Sequence, residues 1–419
     1  MTEVHGTNVP KRRPWLTRVA GNIAAAGAAL LAGLLLCELL LRLLGVSYPV
    51  YVWTDPVRGL AHIPGVKSGN RFQGRSWIEI NSDGLRGPEA ALAHPPGTYR
   101  VALLGDSFIE GFEVPFDSTV GEFLRRRLSA LRGTPVEVLN FGVGGYGTTQ
   151  EALTLQHQVW KYSPDLVVLA FTTGNDVTDN YRPLDSGGYR PYYVFRGGDL
   201  VLDTTFLRTG AYQSRAVWTR RLLGLVQESR LVQLVNRVRH LSRKRERQQN
   251  NAAPRAPDAG GVPGSEVGLS NQVELPATTP EWQEAWRVTE GVLAMMRDEC
   301  RRMRTPFAIV TLTRGIQVTP VPEQKAEFLR QIGAKDLYYP ERRLAEFGQR
   351  EGIPVLNLAP SMAEEAEQRH VYFHAAGPTL GIGHWNGAGH RAAGERIASW
   401  LAQEFPARPP ASPQAGSRP

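Results

Sequence analysis

Five short apolar or β-branched runs separated by helical patterns constrain this chain more than any other feature: Val101–Leu104, Val136–Leu139, Leu166–Phe171, Phe307–Leu312 and Pro354–Leu358. Strands this apolar need cover on both faces, and the helices between them supply it. The alternation predicts an α/β domain of the three-layer α/β/α class, built on a doubly wound, parallel five-stranded sheet. Helical patterns run over Asp117–Leu131, Thr148–Tyr162, Trp282–Met303 and Gly387–Leu401.

More than a hundred residues separate the third run from the fourth, far beyond an ordinary connection, so an insertion is expected over residues 177–280. It opens with an aromatic and basic stretch that includes Tyr181, Tyr189, Arg190, Tyr192 and Arg196. A basic amphipathic helix should follow, with Leu222, Leu225, Val226, Leu234, Val235, Val238 and Leu241 as its apolar positions. Residues 248–280 are rich in Pro, Gly, Ala, Asn and Gln and read as a disordered linker, as does the tail 406–419. The remaining divisions are a cytoplasmic segment 1–18, an anchor 19–45, a lead-in 46–98 and the α/β domain 99–405.

The net charge of +8 is local. Tyr212–Arg247 carries nine Arg and one Lys against Glu228 and Glu246, which accounts for the whole surplus. One basic segment on a neutral chain does not describe a nucleic-acid-binding protein. Two cysteines, Cys37 and Cys300, cannot form a disulfide scaffold.

Val19–Leu41 is a run of 23 residues broken only by Asn22, Cys37 and Glu38 among its polar or thiol positions. As a helix it spans roughly 34 Å, enough for a bilayer core. Lys11, Arg12, Arg13 and Arg18 precede it against a single Glu3, so positive-inside logic leaves the N-terminus in the cytoplasm and the rest outside. Glu38 and Arg42 are spaced to pair at the outer interface. No small-x-small cleavage pattern follows the run, and Leu36 precedes Cys37 where a lipobox needs a small residue. An uncleaved single-pass anchor in the inner membrane, with its domain periplasmic, is therefore expected, and membrane lipid is its expected partner.

The candidate chemistry sits at the carboxyl ends of the strands. The first ends in Gly105-Asp106-Ser107, the second in Asn140-Phe141-Gly142-Val143-Gly144-Gly145-Tyr146-Gly147, the third in Gly174-Asn175-Asp176. His384-Trp385-Asn386-Gly387-Ala388-Gly389-His390 precedes the last helix, with Asn386 as its expected cap. A serine in an isolated Gly-Asp-Ser more often caps a helix than attacks a carbonyl; it becomes a nucleophile when a base reaches it.

Four such segments in this order resemble the blocks of the SGNH hydrolase superfamily, the GDSL-type esterases and lipases, whose sheet is flavodoxin-like. The resemblance implies that Ser107 is the nucleophile and His384 the general base, with the backbone N–H groups of Ser107 and Gly145 and the Asn175 amide as an oxyanion hole. It implies ester hydrolysis, or transfer of an acyl group such as acetyl, on an acylated polysaccharide or small ester, without metal or cofactor. Tyr146, Trp385, Tyr192 and Arg190 are the expected substrate-binding residues. The stretch Ile80-Asn81-Ser82-Asp83-Gly84-Leu85-Arg86 looks like the lead-in of membrane-anchored bacterial members near exopolysaccharide functions.

One departure matters. The family usually has an Asp two or three residues before the histidine; here Ile382 and Gly381 stand there, and the nearest preceding acid is Glu367. The triad is then a Ser-His dyad or takes its carboxylate from elsewhere, which leaves a weakly active or inactive polysaccharide-binding component as the second reading. A lipid esterase or thioesterase is the third.

Other motifs carry less. Gly142–Gly147 spells G-x-G-x-x-G, but Asp165, the acid at the right distance, stands at the start of the next strand instead of its end. His370 and His374 lack the Glu of H-E-x-x-H. Asp106 and Asp176 are expected to fix loop backbone rather than form an acid/base couple.

Overall fold

The computed structural model describes residues 14–70, 76–185, 189–216, 228–239, 266, 269–375 and 379–407. It divides into two units, residues 1–49 with 222–247, and residues 50–221 with 248–419.

The smaller unit is built on one helix, Pro14–Leu43. Its Arg18–Leu43 portion is long and apolar enough to cross a membrane, a test that signal sequences also meet. Arg42 pairs with Glu38 at 2.8 Å, as the i, i+4 spacing predicts. Glu38 also accepts hydrogen bonds at 3.0 Å from the backbone of Arg230 and Leu231 and from the Ser229 hydroxyl. It therefore supplies acceptors at the N-terminal end of helical residues 230–239. Leu222, Leu225, Val226 and Leu241 of the expected basic helix lie outside the described residues.

In the larger unit the five expected strands form one parallel sheet: β1 (Tyr99–Leu104), β2 (Val136–Asn140), β3 (Leu166–Thr172), β4 (Phe307–Leu312) and β5 (Val355–Asn357). Their spatial order is β5-β4-β3-β1-β2. The chain runs from β1 outward to β2, then returns to the other side of β1 for β3, so the winding reverses between β1 and β3. In doubly wound sheets this reversal opens a crevice at the carboxyl ends of those strands.

Alternation along the strands divides the core. Ala102 and Leu104 with Val167, Leu169 and Phe171 face a layer containing Ala152, Leu155, Val288, Val292, Leu344 and Phe347. Val101 and Leu103 with Leu166, Val168 and Ala170 face Leu124, Leu128, Met362, Ile397 and Leu401. Every β3 residue is buried, which is why that strand reads as an unbroken apolar run.

The helices refine the expected boundaries. The segment expected over Thr148–Tyr162 divides at Gln158 into a helix, Thr148–His157, and a 3-10 turn, Val159–Tyr162. Three helices not expected from the sequence, Pro322–Ile332, Tyr339–Glu351 and Ala359–Arg369, flank β4 and β5 in the chain. Three antiparallel hairpins were likewise unexpected: Val52–Asp55 with Gly59–His62, Lys67–Asn70 with Ser76–Glu79, and Tyr192–Arg196 with Asp199–Asp203.

The disordered linker expected over 248–280 is too long. Residues 269–280 are described, and within them Asn271–Glu274 forms a 3-10 turn whose Val273 is buried. Glu274 and Arg314, both fully buried, pair at 2.8 Å, and a buried charge is stable in such a place only when paired. The rest of that stretch, except Glu266, and residues 408–419 of the expected tail lie outside the described residues.

Candidate active site

Ser107 begins a four-residue helix, Ser107–Glu110, directly after β1. Asp106 caps it, its carboxylate accepting from the Phe108 N–H at 2.9 Å. Asp176 does the same for the turn after β3, accepting from Thr172 N–H at 2.8 Å. Both acids therefore fix loop backbone as their positions suggest. Gly111 ends the short helix at φ 58°, a left-handed conformation that glycine adopts without penalty. The chain then turns through Phe112, Glu113 and Val114.

His384 comes from a loop 277 residues further along, and its Nε2 lies 2.7 Å from Ser107 Oγ. Nδ1 lies 3.0 Å from Glu113 Oε1. With Nδ1–H donating to Glu113, Nε2 presents its lone pair to the serine hydroxyl. The Glu113 side chain is 8% exposed, so its interaction with the ring is little screened by solvent. Burial alone would lower the imidazole pKa. The hydrogen bond and charge of Glu113, aided by Asp106 and Glu110, outweigh that and hold it at about 8.

The His384 loop is pinned from several sides. His374 and Trp385 form an isolated β-bridge, Ala375 N–H donates to the His384 carbonyl at 2.8 Å, and His374 Nδ1 donates to the Gly383 carbonyl. Burial lowers the His374 pKa, and the ring ties Thr313 to the Gly383 carbonyl. Glu266 joins two loops by accepting from Gly315 N–H at 3.0 Å and Gly383 N–H at 2.8 Å. Asn386 caps the last helix as expected, accepting from Ala388 and Gly389. His390 is buried within that helix, its pKa lowered to about 3 by burial.

The loop after β2 is held residue by residue. Gly142 N–H donates to Asn140, Gly144 N–H to Glu110 at 3.0 Å and Gly147 N–H to Gln150. Gly145 sits among them at φ 82°, and a Cβ there would meet nothing within 4 Å. Its N–H has no hydrogen bond among the described residues, and neither has that of Ser107.

Asn175 follows β3. Its amide nitrogen lies 3.3 Å from Asp179 Oδ2 and 3.4 Å from Asp106 Oδ2. Beneath it Asp106, Glu151, Asp176 and Asp179 form a buried carboxyl group. Burial raises all four, mutual repulsion adds to Glu151 and Asp176, and Asp179 stands at about 7 despite Arg190.

The four expected substrate-binding residues are placed elsewhere. Tyr146 is fully buried, its hydroxyl donating to the Leu60 carbonyl at 2.8 Å. Trp385 is also fully buried, with Nε1 on Thr313 at 2.8 Å and its ring edge-on to Phe108. Tyr192 is 3% exposed and bonded to Asp185. Arg190 pairs with Asp185 at 3.2 Å and Asp179 at 3.6 Å. These side chains hold the structure together, and none of the three rings is available as a sugar platform.

The residue that sequence reasoning missed is Glu113. The acid of the family pattern precedes the histidine, whereas this one stands six residues after Ser107. The available signal was the Gly111 that stops the short helix and turns the chain back.

A serine, an imidazole and a carboxylate thus lie in line at the switch point of a doubly wound sheet. The sequence matches the GDSL-like lipase/acylhydrolase family over residues 103–392, and the chain belongs to that family, whose members hydrolyse ester bonds. Among solved structures it is similar to a lipase/acylhydrolase from Enterococcus faecalis, with 13% identity, 74% of this chain and 100% of the other covered, and a TM-score of 0.35. An acetyl xylan esterase, AlAXEase, matches with 10% identity, 72% and 99% coverage and a TM-score of 0.36. A lipolytic protein of the G-D-S-L family from Desulfitobacterium hafniense matches with 11% identity, 72% and 98% coverage and a TM-score of 0.34. A comparison with curated proteins finds no match.

Proposed function

We propose that this chain is a membrane-anchored serine esterase that removes or transfers acyl groups, acetyl above all, on an extracytoplasmic polysaccharide. The observation that carries the chemistry is the line Ser107 Oγ, His384 Nε2, His384 Nδ1, Glu113 Oε1, with separations of 2.7 and 3.0 Å across the two hydrogen bonds.

In this reading Ser107 Oγ attacks the acyl carbon while its proton passes to His384 Nε2. The resulting imidazolium is stabilised by Glu113. The N–H groups of Ser107 and Gly145 and the Asn175 amide receive the developing oxyanion, each donor contributing roughly 2.7 to 4 kcal/mol. Collapse breaks the ester C–O bond, and His384 returns the proton to the departing alcohol. Water, or an acceptor hydroxyl in the transfer reaction, then attacks the acyl-serine with His384 again as base.

Glu113 also favours activity over a silent binding role, since the second reading drew on the missing acid. The apolar helix Arg18–Leu43 and the positive residues before it support the anchored, periplasmic placement. The polysaccharide assignment draws on that location and on the lead-in 80–86.

The test is release of acetate from acetylated polysaccharides by the full chain, beside hydrolysis of p-nitrophenyl esters of increasing chain length. Acetate release with a preference for the shortest esters supports the proposal. A preference for long acyl chains moves the assignment to a lipid esterase or thioesterase. No turnover of any ester beyond that of the Ser107→Ala variant rejects it.

A further inference from the structure

The Ile80–Arg86 motif precedes the family region, yet its last residue reaches the catalytic acid. Asn81 builds the turn, its side chain accepting from the N–H groups of Asp83 and Leu85 at 3.0 and 2.9 Å. Gly84 supplies φ 82° within it. The Ile80–Arg86 bridge then points Arg86 inward, where it is 2% exposed.

Its guanidinium donates from Nη1 to the carbonyls of Glu110 and Gly111 and from Nη2 to that of Val114 at 2.6 Å. Ser76 of the adjoining hairpin donates to the Phe112 carbonyl at 2.5 Å. Lead-in side chains therefore hold four of the five carbonyls from Glu110 to Val114, and Glu113 is the fifth residue, flanked by two held ones, whose side chain meets His384. Phe112 is packed against Tyr51, His62 and Arg86, with centroid distances of 4.9, 5.8 and 5.5 Å. A lysine offers a compact point charge in place of this planar fork and has no second nitrogen to divide the contacts as Nη1 and Nη2 do. The buried cation also lies in the field of Glu110 and Glu113, which offsets part of its desolvation.

The same segment reaches the loop after β2. His62 contacts the Gly84 carbonyl through Nδ1 at 2.9 Å and Glu110 through Nε2 at 2.7 Å, and Glu110 holds Gly144 N–H.

We propose that Arg86 is a positioning residue of the catalytic site: delivered by the Asn81–Gly84 turn, its guanidinium clamps the Gly111–Val114 loop and keeps Glu113 on His384. The segment leading from the apolar helix to the α/β domain is thereby part of the catalytic apparatus. This rests on the reading of Ser107, His384 and Glu113 as an esterase triad.

The test compares the full chain in detergent as wild type, Arg86→Lys, Ser76→Ala, Glu113→Gln and Arg86→Lys/Glu113→Gln, with p-nitrophenyl acetate as substrate and thermal melting as the check on folding. Arg86→Lys should lower kcat about 10- to 100-fold with KM within about twofold, because a misplaced acid costs orientation and not binding. It should also move the midpoint of the pH-rate curve downward. In the Glu113→Gln background the same change should cost nothing further. Losses that multiply in the double variant, or wild-type kcat and midpoint in a folded Arg86→Lys, would overturn the proposal. If Arg86→Lys does not fold, Ser76→Ala decides: a few-fold loss in kcat that vanishes beside Glu113→Gln supports the clamp, and no loss rejects it. If wild type turns over no ester, the esterase reading fails separately. The His384 titration followed by NMR in wild type and Arg86→Lys then decides the clamp, an unchanged midpoint counting against it.

Discussion

At the scale of single residues, Glu113 determines how His384 behaves. In the proposed mechanism the unprotonated ring is the base, so kcat/KM should rise with pH to a plateau, half-maximal near the pKa of about 8. Glu113→Gln removes the group that raises that value, and the midpoint should fall toward the ordinary imidazole value of about 6.5. At the same time kcat should drop roughly 10²- to 10⁴-fold with KM little changed, since the carboxylate acts on the imidazolium formed in the transition state. A pH-rate series on both proteins checks both shifts. The raised pKa also has a thermodynamic side: the stabilisation it gives is complete below about pH 6.5 and is lost as pH rises through about 8. Ser107 and His384 were legible because each lies in a short motif with its own spacing. Glu113 was not, because its role comes from the turn at Gly111, which places side chains that no local pattern pairs. Tyr146 and Trp385 were misread for the opposite reason: adjacency to a motif in sequence says nothing about which way a ring points, and both point into the core.

At the scale of elements, the five strands were readable because buried parallel strands leave continuous apolar runs. The helices at Pro322, Pro340 and Pro360 do carry a proline start signal, and the third hairpin carries a Gly197-Gly198 turn, but neither signal is specific by itself. The ties between loops were invisible: Glu266 bridges Gly315 and Gly383, and no sequence pattern relates three residues so far apart. Gly315 offers a test of how tightly these loops are packed. A Cβ there would lie 2.0 Å from the Gly381 carbonyl oxygen, so Gly315→Ala must displace the loop that carries His384. Thermal melting should report a loss of about 1–3 kcal/mol, and kcat should fall by more than the melting change explains. Gly387→Ala, whose Cβ would meet nothing within 4 Å, is the matched control and should stay within about 0.5 kcal/mol of wild type.

At the scale of the whole molecule, the apolar helix falls in one unit, and Ser107, His384 and Glu113 fall in the other together with the lead-in from residue 50 onward. Removing residues 1–45 should therefore free the protein from membrane pellets washed with alkaline carbonate and leave kcat/KM on p-nitrophenyl acetate within a few-fold. Removing residues 1–98 should abolish activity, because it takes away Ser76 and Arg86. Sedimentation and turnover of the two truncations check both outcomes. The apolar helix and the parallel α/β class were legible from composition and periodicity. The part the lead-in plays beside the Gly111–Val114 loop was not legible, since those contacts depend on tertiary folding. The most direct measurement is covalent labelling of the full chain with an active-site-directed fluorophosphonate, mapped by peptide mass. The account predicts label on Ser107, absent in Ser107→Ala, lost in His384→Ala and slowed in Glu113→Gln. Label on another residue, or a rate at Ser107 unchanged by loss of His384, would contradict it.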